Sequence, residues 1–377
     1  MRTIPGRPFI RAPRPVSLTD LLTPDANSFG VLRLALAVIV LVSHSLWFVT
    51  GQRDADPLVA LTGFTSGEHA VQAFFLLSGL LVARSIEKSG SIVDFTVARA
   101  LRIFQGLIVC VLLTAFVLGP LMTRLSVPAY FAHPDLPIYI AKTAALVTAS
   151  ARLPDVFEGL PLAGLVNGSL WTLKFEILCY LALGGFAAVG LMVGKCRIAM
   201  SALLLAIIAL SSLVLPAGTT RYSTAQNLAY FAIPFSLGVL ACLARDRIRV
   251  AGIVPVVLAA PAYLAIGSPL QHVTTGLCLG TLLLWLATFR YGPLRAFANR
   301  TDLSFGVYIY AGPIQQSLIQ CVPGVTAVGM TAVALAPVLG AAWLSWTLVE
   351  RPAMGWRQDL VRRIAAAQVV TVPNRTA

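Results

Sequence analysis

The sequence predicts an all-α fold: a polytopic integral membrane bundle of about ten transmembrane helices with no soluble domain. Three observations predict it. Of the 377 residues, 58% are hydrophobic and only 11% charged, too little polar side chain to cover a water-soluble globule. The apolar residues gather into runs long enough to cross a bilayer, at 29–50, 69–86, 103–123, 171–192, 198–215, 227–243, 250–267, 273–289, 303–320 and 327–349. Between the runs lie short clusters of Lys and Arg, the pattern that orients membrane proteins with their basic loops in the cytoplasm.

The charge pattern also sets the span count. With a cytoplasmic N-terminus and ten spans, 21 of the 28 Lys and Arg fall in inner loops and tails. Five fall outside (Arg53, Arg124, Lys142, Arg152, Arg221) and two within spans (Arg33, Lys174). Counting the shorter run 136–150 as an eleventh span reverses this bias, so 124–170 reads as one long outer loop holding a short interfacial or re-entrant helix. Residues 1–24 form a basic, proline-rich tail without the apolar core of a signal peptide. The membrane domain covers 25–352, and 353–377 is a second basic tail, both termini being cytoplasmic. The net charge of +13 is spread over the inner loops, with no long basic face for nucleic acid. The six cysteines have no paired spacing, and neither a disulfide framework nor a metal site is indicated.

The first run carries Arg33 and His44. Eleven helical residues turn through about 1100° and rise about 16 Å, so both side chains project from one face. Such groups are costly in a membrane and usually line a cavity or a reaction site. Arg33 snorkelling to headgroups with His44 bonded to a neighbouring helix is the plainer alternative. A neutral imidazole there suits a proton acceptor, and the guanidinium suits an anion.

In the second run, Ser78-Gly79 is a small-residue step that lets helices approach closely. His69 reads as a satisfied interfacial group, while His133 and His272 are placed in outer loops. Next, Arg99 and Arg102 share a helix face at i, i+3, a spacing that suits the phosphates of a nucleotide-bearing acyl donor or plain topology determination. The outer loop ends in Asn167-Gly168-Ser169-Leu170-Trp171, a turn followed by an interfacial aromatic. Lys174 and Glu176 then point apart on one helix, whereas Glu176 and Tyr180 share a face at i, i+4.

Six segments in order resemble the membrane-bound acyltransferase family 3, of the bacterial polysaccharide O-acetyltransferase type. Arg33 to His44 is similar to its Arg-x10-His motif, and Phe74-Phe75-Leu-Leu-Ser78-Gly79 to its Phe-Phe-x-x-Ser-Gly. Arg99-Ala-Leu-Arg102-Ile resembles the basic segment before the third span, and Trp171-Thr-Leu-Lys174-Phe-Glu176 the Trp-Ser-Leu-x-x-Glu segment. Tyr308-Ile-Tyr310-Ala-Gly-Pro313 and Glu350-Arg351-Pro352 resemble the late proline segment and the closing Glu-x-Pro. Gln105 stands where many relatives carry proline, and Ala311 where many carry histidine, which removes a second intramembrane His at that point.

The resemblance implies transfer of an acetyl (acyl) group from cytoplasmic acetyl-CoA to a hydroxyl of a cell-surface or exported glycan at a bacterial inner membrane, without a metal. It implies His44 and Glu176 as catalytic residues, and Arg33, Arg99 and Arg102 as holders of the donor. Trp171, Lys174, Tyr308 and Glu350 bind substrate or brace the site. Implied partners are membrane lipid, the glycan acceptor and a polysaccharide assembly or periplasmic acyl-transfer protein. A transporter or flippase for a lipid-linked saccharide is the alternative, weakened by the lack of paired broken helices in two matching halves.

Overall fold

In the computed structural model residues 15–23, 26–147, 152–216 and 222–370 are described, the side chains of 365–370 excepted. Arg2, Arg7, Arg11, Arg14, Arg221 and Arg375 lie outside the described residues. The long helices are α1 Phe29–Thr50, α2 Ser66–Ser89, α3 Ile92–Leu113, α4 Leu173–Ala188, α5 Cys196–Val214 and α6 Thr224–Leu243. They continue with α7 Ile253–Leu264, α8 Gln271–Ala287, α9 Gly292–Arg300, α10 Ser304–Cys321, α11 Ala327–Ser345 and α12 Arg357–Val370. Among the described residues the only sheet is two-stranded, β1 Val16–Ser17 pairing antiparallel with β2 Arg249–Val250.

The protein is therefore a largely α-helical polytopic membrane protein. Among the described residues, seven helices are long and apolar enough to cross, and eight if a bent pair is counted as one span. The expected ten is not reached, for three local reasons. Helix α7 has 12 residues, short of the roughly 20 that a bilayer asks for. Helix α8 turns through 106° into α9 after a four-residue break. Helix α10 dilutes its apolar run with Gln315, Gln316 and Gln320.

Local chemistry explains where helices begin and end. The Ser91 hydroxyl accepts from the Asp94 N–H at the start of α3, and Ser223 with Gln226 forms a reciprocal capping box at α6. Helix α1 stops at Gly51, whose φ of 70° is the left-handed cap that glycine adopts without strain.

Two compact units divide the chain, one from Met1–Leu81 with Ser201–Tyr308 and one from Val82–Met200 with Ile309–Ala377. In the first, a Cβ on Gly79 would run into the Phe235 carbonyl, and one on Gly238 into that of Leu76. The α2 and α6 backbones thus touch at the small-residue step expected from Ser78-Gly79. In the second, the span beginning with α3 runs to Met122 through a π-helical turn, Thr114–Leu118. Such a turn leaves carbonyls off their usual partners, and the Tyr130 hydroxyl donates to that of Ala115 at 2.7 Å. The segment after that span carries two short helices, Val127–Ala132 and Asp135–Ala144; the second lies where a short helix was expected.

Candidate active site

In the first unit, Arg33 and His44 lie on the unbroken α1. Arg33 Nη2 pairs with Asp302 Oδ2 at 3.1 Å, and Asp302 Oδ1 accepts from the Ser304 N–H and hydroxyl at the start of α10. One carboxylate thus fixes the guanidinium and caps a helix. Nearby, Gly30 lets α1 lie against the Ala298 carbonyl of α9, and Arg295 Nε donates to Asn27 O at 3.0 Å. His44, partly exposed, stacks on Phe48 with ring centres 5.1 Å apart and planes 13° from parallel. Tyr308 is buried and meets the Phe74 ring edge-on at 6.2 Å.

Beyond His44 the chain builds a polar cap. Asp56 accepts from Ser43 Oγ (2.8 Å), Ser66 Oγ (2.6 Å), Ser66 N (2.8 Å) and Leu58 N (3.1 Å). Burial pushes its carboxyl up, but the Ser66 and Ser43 hydroxyls and the two backbone N–H groups outweigh that and hold it below the usual carboxylate range. Arg53 pairs with Glu68. His69 is satisfied on one side, Nε2 lying 2.9 Å from Thr62 Oγ1. His272 corrects the loop placement: it sits in the first turn of α8, buried, with Nε2 3.3 Å from the Tyr222 hydroxyl. The helix begins that early because Gln271 accepts from the Gly267 N–H and donates to Thr62 O, tying down its first turn.

In the second unit, the expected donor-binding arginines have different surroundings. Arg99 stands over the Tyr180 ring at 5.9 Å, and Tyr180 donates its hydroxyl to Glu176, the i, i+4 contact expected. Arg99 also borders an apolar groove of about 260 Å³ between α3 and α4, lined by Phe95, Ile103, Ile177 and Gly184 among others. Arg102 Nη1 lies 3.5 Å from Glu350 Oε2, and Glu350 is only 2% exposed. A π-helical turn, Trp346–Glu350, aims that carboxylate inward, where Oε1 accepts from the Ser345 hydroxyl at 2.9 Å. Tyr310 completes the chain 3.5 Å from Ser345 Oγ. Trp171 and Lys174 flank one ring: Trp171 meets Phe175 edge-on at 5.7 Å and Lys174 Nζ lies 4.9 Å above it.

Sequence reasoning missed the contact that ties the 124–170 loop to α10. Pro313 has no N–H, so the carbonyl four residues back, that of Ile309, loses its helical partner. Asn167 Nδ2 donates to it at 2.8 Å, and the Cys110 thiol reaches it at 3.3 Å. Gln316 holds the same loop by donating to Leu165 O at 2.8 Å. The signal was present as a proline inside an apolar run, but nothing in the sequence says which distant amide answers it.

Comparisons with known proteins show the family. Residues 27–347 match the acyltransferase-domain family Acyl_transf_3. The chain is 34% identical over 343 residues to the O-acetyl transferase of Shigella phage Sf6, an alignment covering 86% of this chain and 95% of the phage protein. It is 30% identical over 385 residues to nodulation protein 10 of Rhizobium leguminosarum bv. viciae, covering 90% and 97%. No solved structure matches. The family match spans most of the chain, and the chain belongs to the Acyl_transf_3 family of membrane acyltransferases.

Proposed function

We propose that this acyltransferase moves an acetyl group from cytoplasmic acetyl-CoA to a hydroxyl of a cell-surface or exported glycan, and that it does so in a bacterial inner membrane. The observation that carries this reading is the unbroken α1, with Arg33 and His44 eleven residues apart in a family of acyltransferases. In this reading ten segments cross, α7, the α8–α9 pair and α10 being the short or polar ones, and both tails are cytoplasmic. The 25–352 region is the catalytic domain and 124–170 its outer loop.

His44 takes the proton of the acceptor hydroxyl as its oxygen attacks the thioester carbonyl. The carbon–sulfur bond breaks, and the thiolate leaves with the electron pair. The phosphate groups of the donor fall to Arg99 and Arg102, whose guanidinium forks suit them, with Arg33 as a further cation. The groove beside Arg99 offers the donor's pantetheine arm an apolar wall. Glu176, through Tyr180, orients the Arg99 end of that groove. Trp171, Lys174 and Tyr308 brace or contact substrate, and Glu350 balances Arg102. Membrane lipid surrounds the protein, and a polysaccharide assembly or periplasmic acyl-transfer protein is its further partner. The phage relative, named an O-acetyl transferase, supports the acetyl assignment.

The test is NMR of base-labile O-acetyl groups on surface polysaccharides of a deletion strain, complemented with wild type or His44→Ala at matched membrane levels. An acetyl signal that vanishes and returns only with wild type supports the reading. Signals that all persist in the deletion strain, or return with His44→Ala, refute it. In membranes, Arg99→Ala raises the acetyl-CoA KM roughly tenfold or more, the loss of about one charge-assisted hydrogen bond.

A further inference from the structure

The corner between α8 and α9 is fixed by its own residues. Gly292 adopts a φ of 54°, the left-handed region that glycine enters without strain, and Pro293 opens α9 with its φ already helical. The carbonyls left over at the end of α8 are answered. The Ser28 N–H donates to Ala287 O at 3.0 Å, the Ser28 hydroxyl to Phe289 O at 2.7 Å and the Tyr291 hydroxyl to Leu286 O at 3.1 Å. The bend of 106° is thus held by three hydrogen bonds.

Two helices set the level of α9. Helix α1, long and apolar enough to cross, begins beside it: a Cβ on Gly30 would come within 2.6 Å of the Ala298 carbonyl. Helix α8, with 17 residues and a length of about 25 Å, ends just before it. A helix that touches the first turn of one span and follows the last turn of another lies at the edge of the hydrocarbon, and the corner lays it along the membrane plane. Its faces differ. Ala298 is 4% exposed, whereas Leu294 and Phe297, three residues apart on another face, are 46% and 42% exposed. Arg290 and Arg300 bracket that pair, one just before α9 and one at its end, and both are exposed. Neither has a carboxylate partner among the described residues; Asp302, the next acidic residue along the chain, is engaged by Arg33 and Ser304.

We propose that α9 is an in-plane lipid-binding helix, with Leu294 and Phe297 among the acyl chains and Arg290 and Arg300 on the phosphates of anionic phospholipids. An apolar pair flanked by guanidinium groups at the bilayer edge meets both halves of an amphiphile at once. The guanidinium fork suits a phosphate diester, and the negative potential of an anionic lipid surface adds about fivefold in affinity per arginine. Zwitterionic lipids offer the same chains without the net charge, so the surface discriminates by headgroup. In taking the α8–α9 pair as a crossing segment the inference rests on the reading above. It goes beyond it in giving a ligand to a helix that none of the family motifs contains.

The test is native mass spectrometry of the full chain released from detergent micelles, titrated with phosphatidylglycerol or with phosphatidylcholine of the same chains. Wild type binds phosphatidylglycerol about fivefold or more tightly than phosphatidylcholine. Arg290→Gln/Arg300→Gln, made on exposed side chains, lowers phosphatidylglycerol affinity by about fivefold or more and leaves phosphatidylcholine unchanged. Leu294→Gln/Phe297→Gln weakens both lipids. Arg362→Gln/Arg363→Gln removes the same charge from exposed positions of α12 and leaves phosphatidylglycerol affinity near that of wild type. Equal affinity of wild type for the two lipids, or equal loss from the two arginine pairs, overturns the proposal. Displacement of the lipid by an equal concentration of glycerol 3-phosphate, the headgroup without chains, also overturns it and makes a free phosphate ester the occupant. The measurement needs no acyl transfer: surface O-acetyl groups that all persist in a deletion strain would sink the proposed reaction and leave the lipid site standing.

Discussion

Replacing Asn167 with Ala isolates the contact between the 124–170 loop and α10. The Asn167 amide donates to the Ile309 carbonyl at 2.8 Å, and that carbonyl is available because Pro313 cannot donate to it. Without the amide, the carbonyl keeps only the Cys110 thiol at 3.3 Å, a weak donor. An unsatisfied buried acceptor costs about 1–3 kcal/mol, and the partial relief from the thiol places the expected loss near 1–2 kcal/mol. The second perturbation is Pro313→Ala, which restores an N–H to the helix and gives Ile309 its ordinary partner. In that background Asn167→Ala should cost far less, so the two changes couple by about 1 kcal/mol. The assay is unfolding in mixed detergent micelles at increasing SDS, followed by tryptophan fluorescence, for wild type, both single variants and the double variant. An equal cost of Asn167→Ala with and without Pro313 would refute the account of a carbonyl freed by proline.

Three further outcomes follow from the geometry. Arg102→Met removes the guanidinium that lies 3.5 Å from the buried Glu350 carboxylate and is expected to destabilise by roughly 3 kcal/mol; adding Glu350→Met should recover most of that loss in the same SDS titration. Gly238→Val drives a side chain into the Leu76 carbonyl where α2 and α6 touch, so fluorescence-detected gel filtration should show little or no monodisperse protein. Because its hydrogen bonds depress the Asp56 carboxyl, that group stabilises the fold at neutral pH, and its contribution fades as pH falls below the usual carboxylate range. The melting temperature gap between wild type and Asp56→Asn should therefore be widest near pH 7 and narrow below about pH 4.

The sequence was most legible where physics repeats. Apolar runs, basic loops and the i, i+4 relation of Glu176 to Tyr180 are local patterns, and the structure carries them. The Ser78-Gly79 step announced a close helix contact, though not that Gly238 would stand on its other side. Distant pairings were illegible: Arg102 and Glu350 are 248 positions apart, and only the π-helical turn at 346–350 brings the carboxylate inward. Helix α10 was legible as an apolar run at 303–320, but the partners of its glutamines were not. Gln316 meets the Leu165 carbonyl and Gln320 that of Met122. His272 was misplaced because Gly267 and Pro269 beside it signal a turn, whereas the Gln271 side chain converts that turn into a helix start.

The ionic contacts of α3 have a consequence in time. Asp94 is held by Arg357 and Arg102 lies against Glu350, separations of 263 and 248 residues. A ribosome adding about 5–20 residues per second needs roughly 12–50 s to travel from Arg102 to Glu350. Throughout that interval α3 is already made while neither of these counterions exists. The nascent protein must pass through a period in which this span holds Asp94 and Arg102 without Arg357 and Glu350. Its maturation is therefore complete only when the last segment of the chain arrives, because Arg357 and Glu350, which Asp94 and Arg102 meet in the folded protein, are made there.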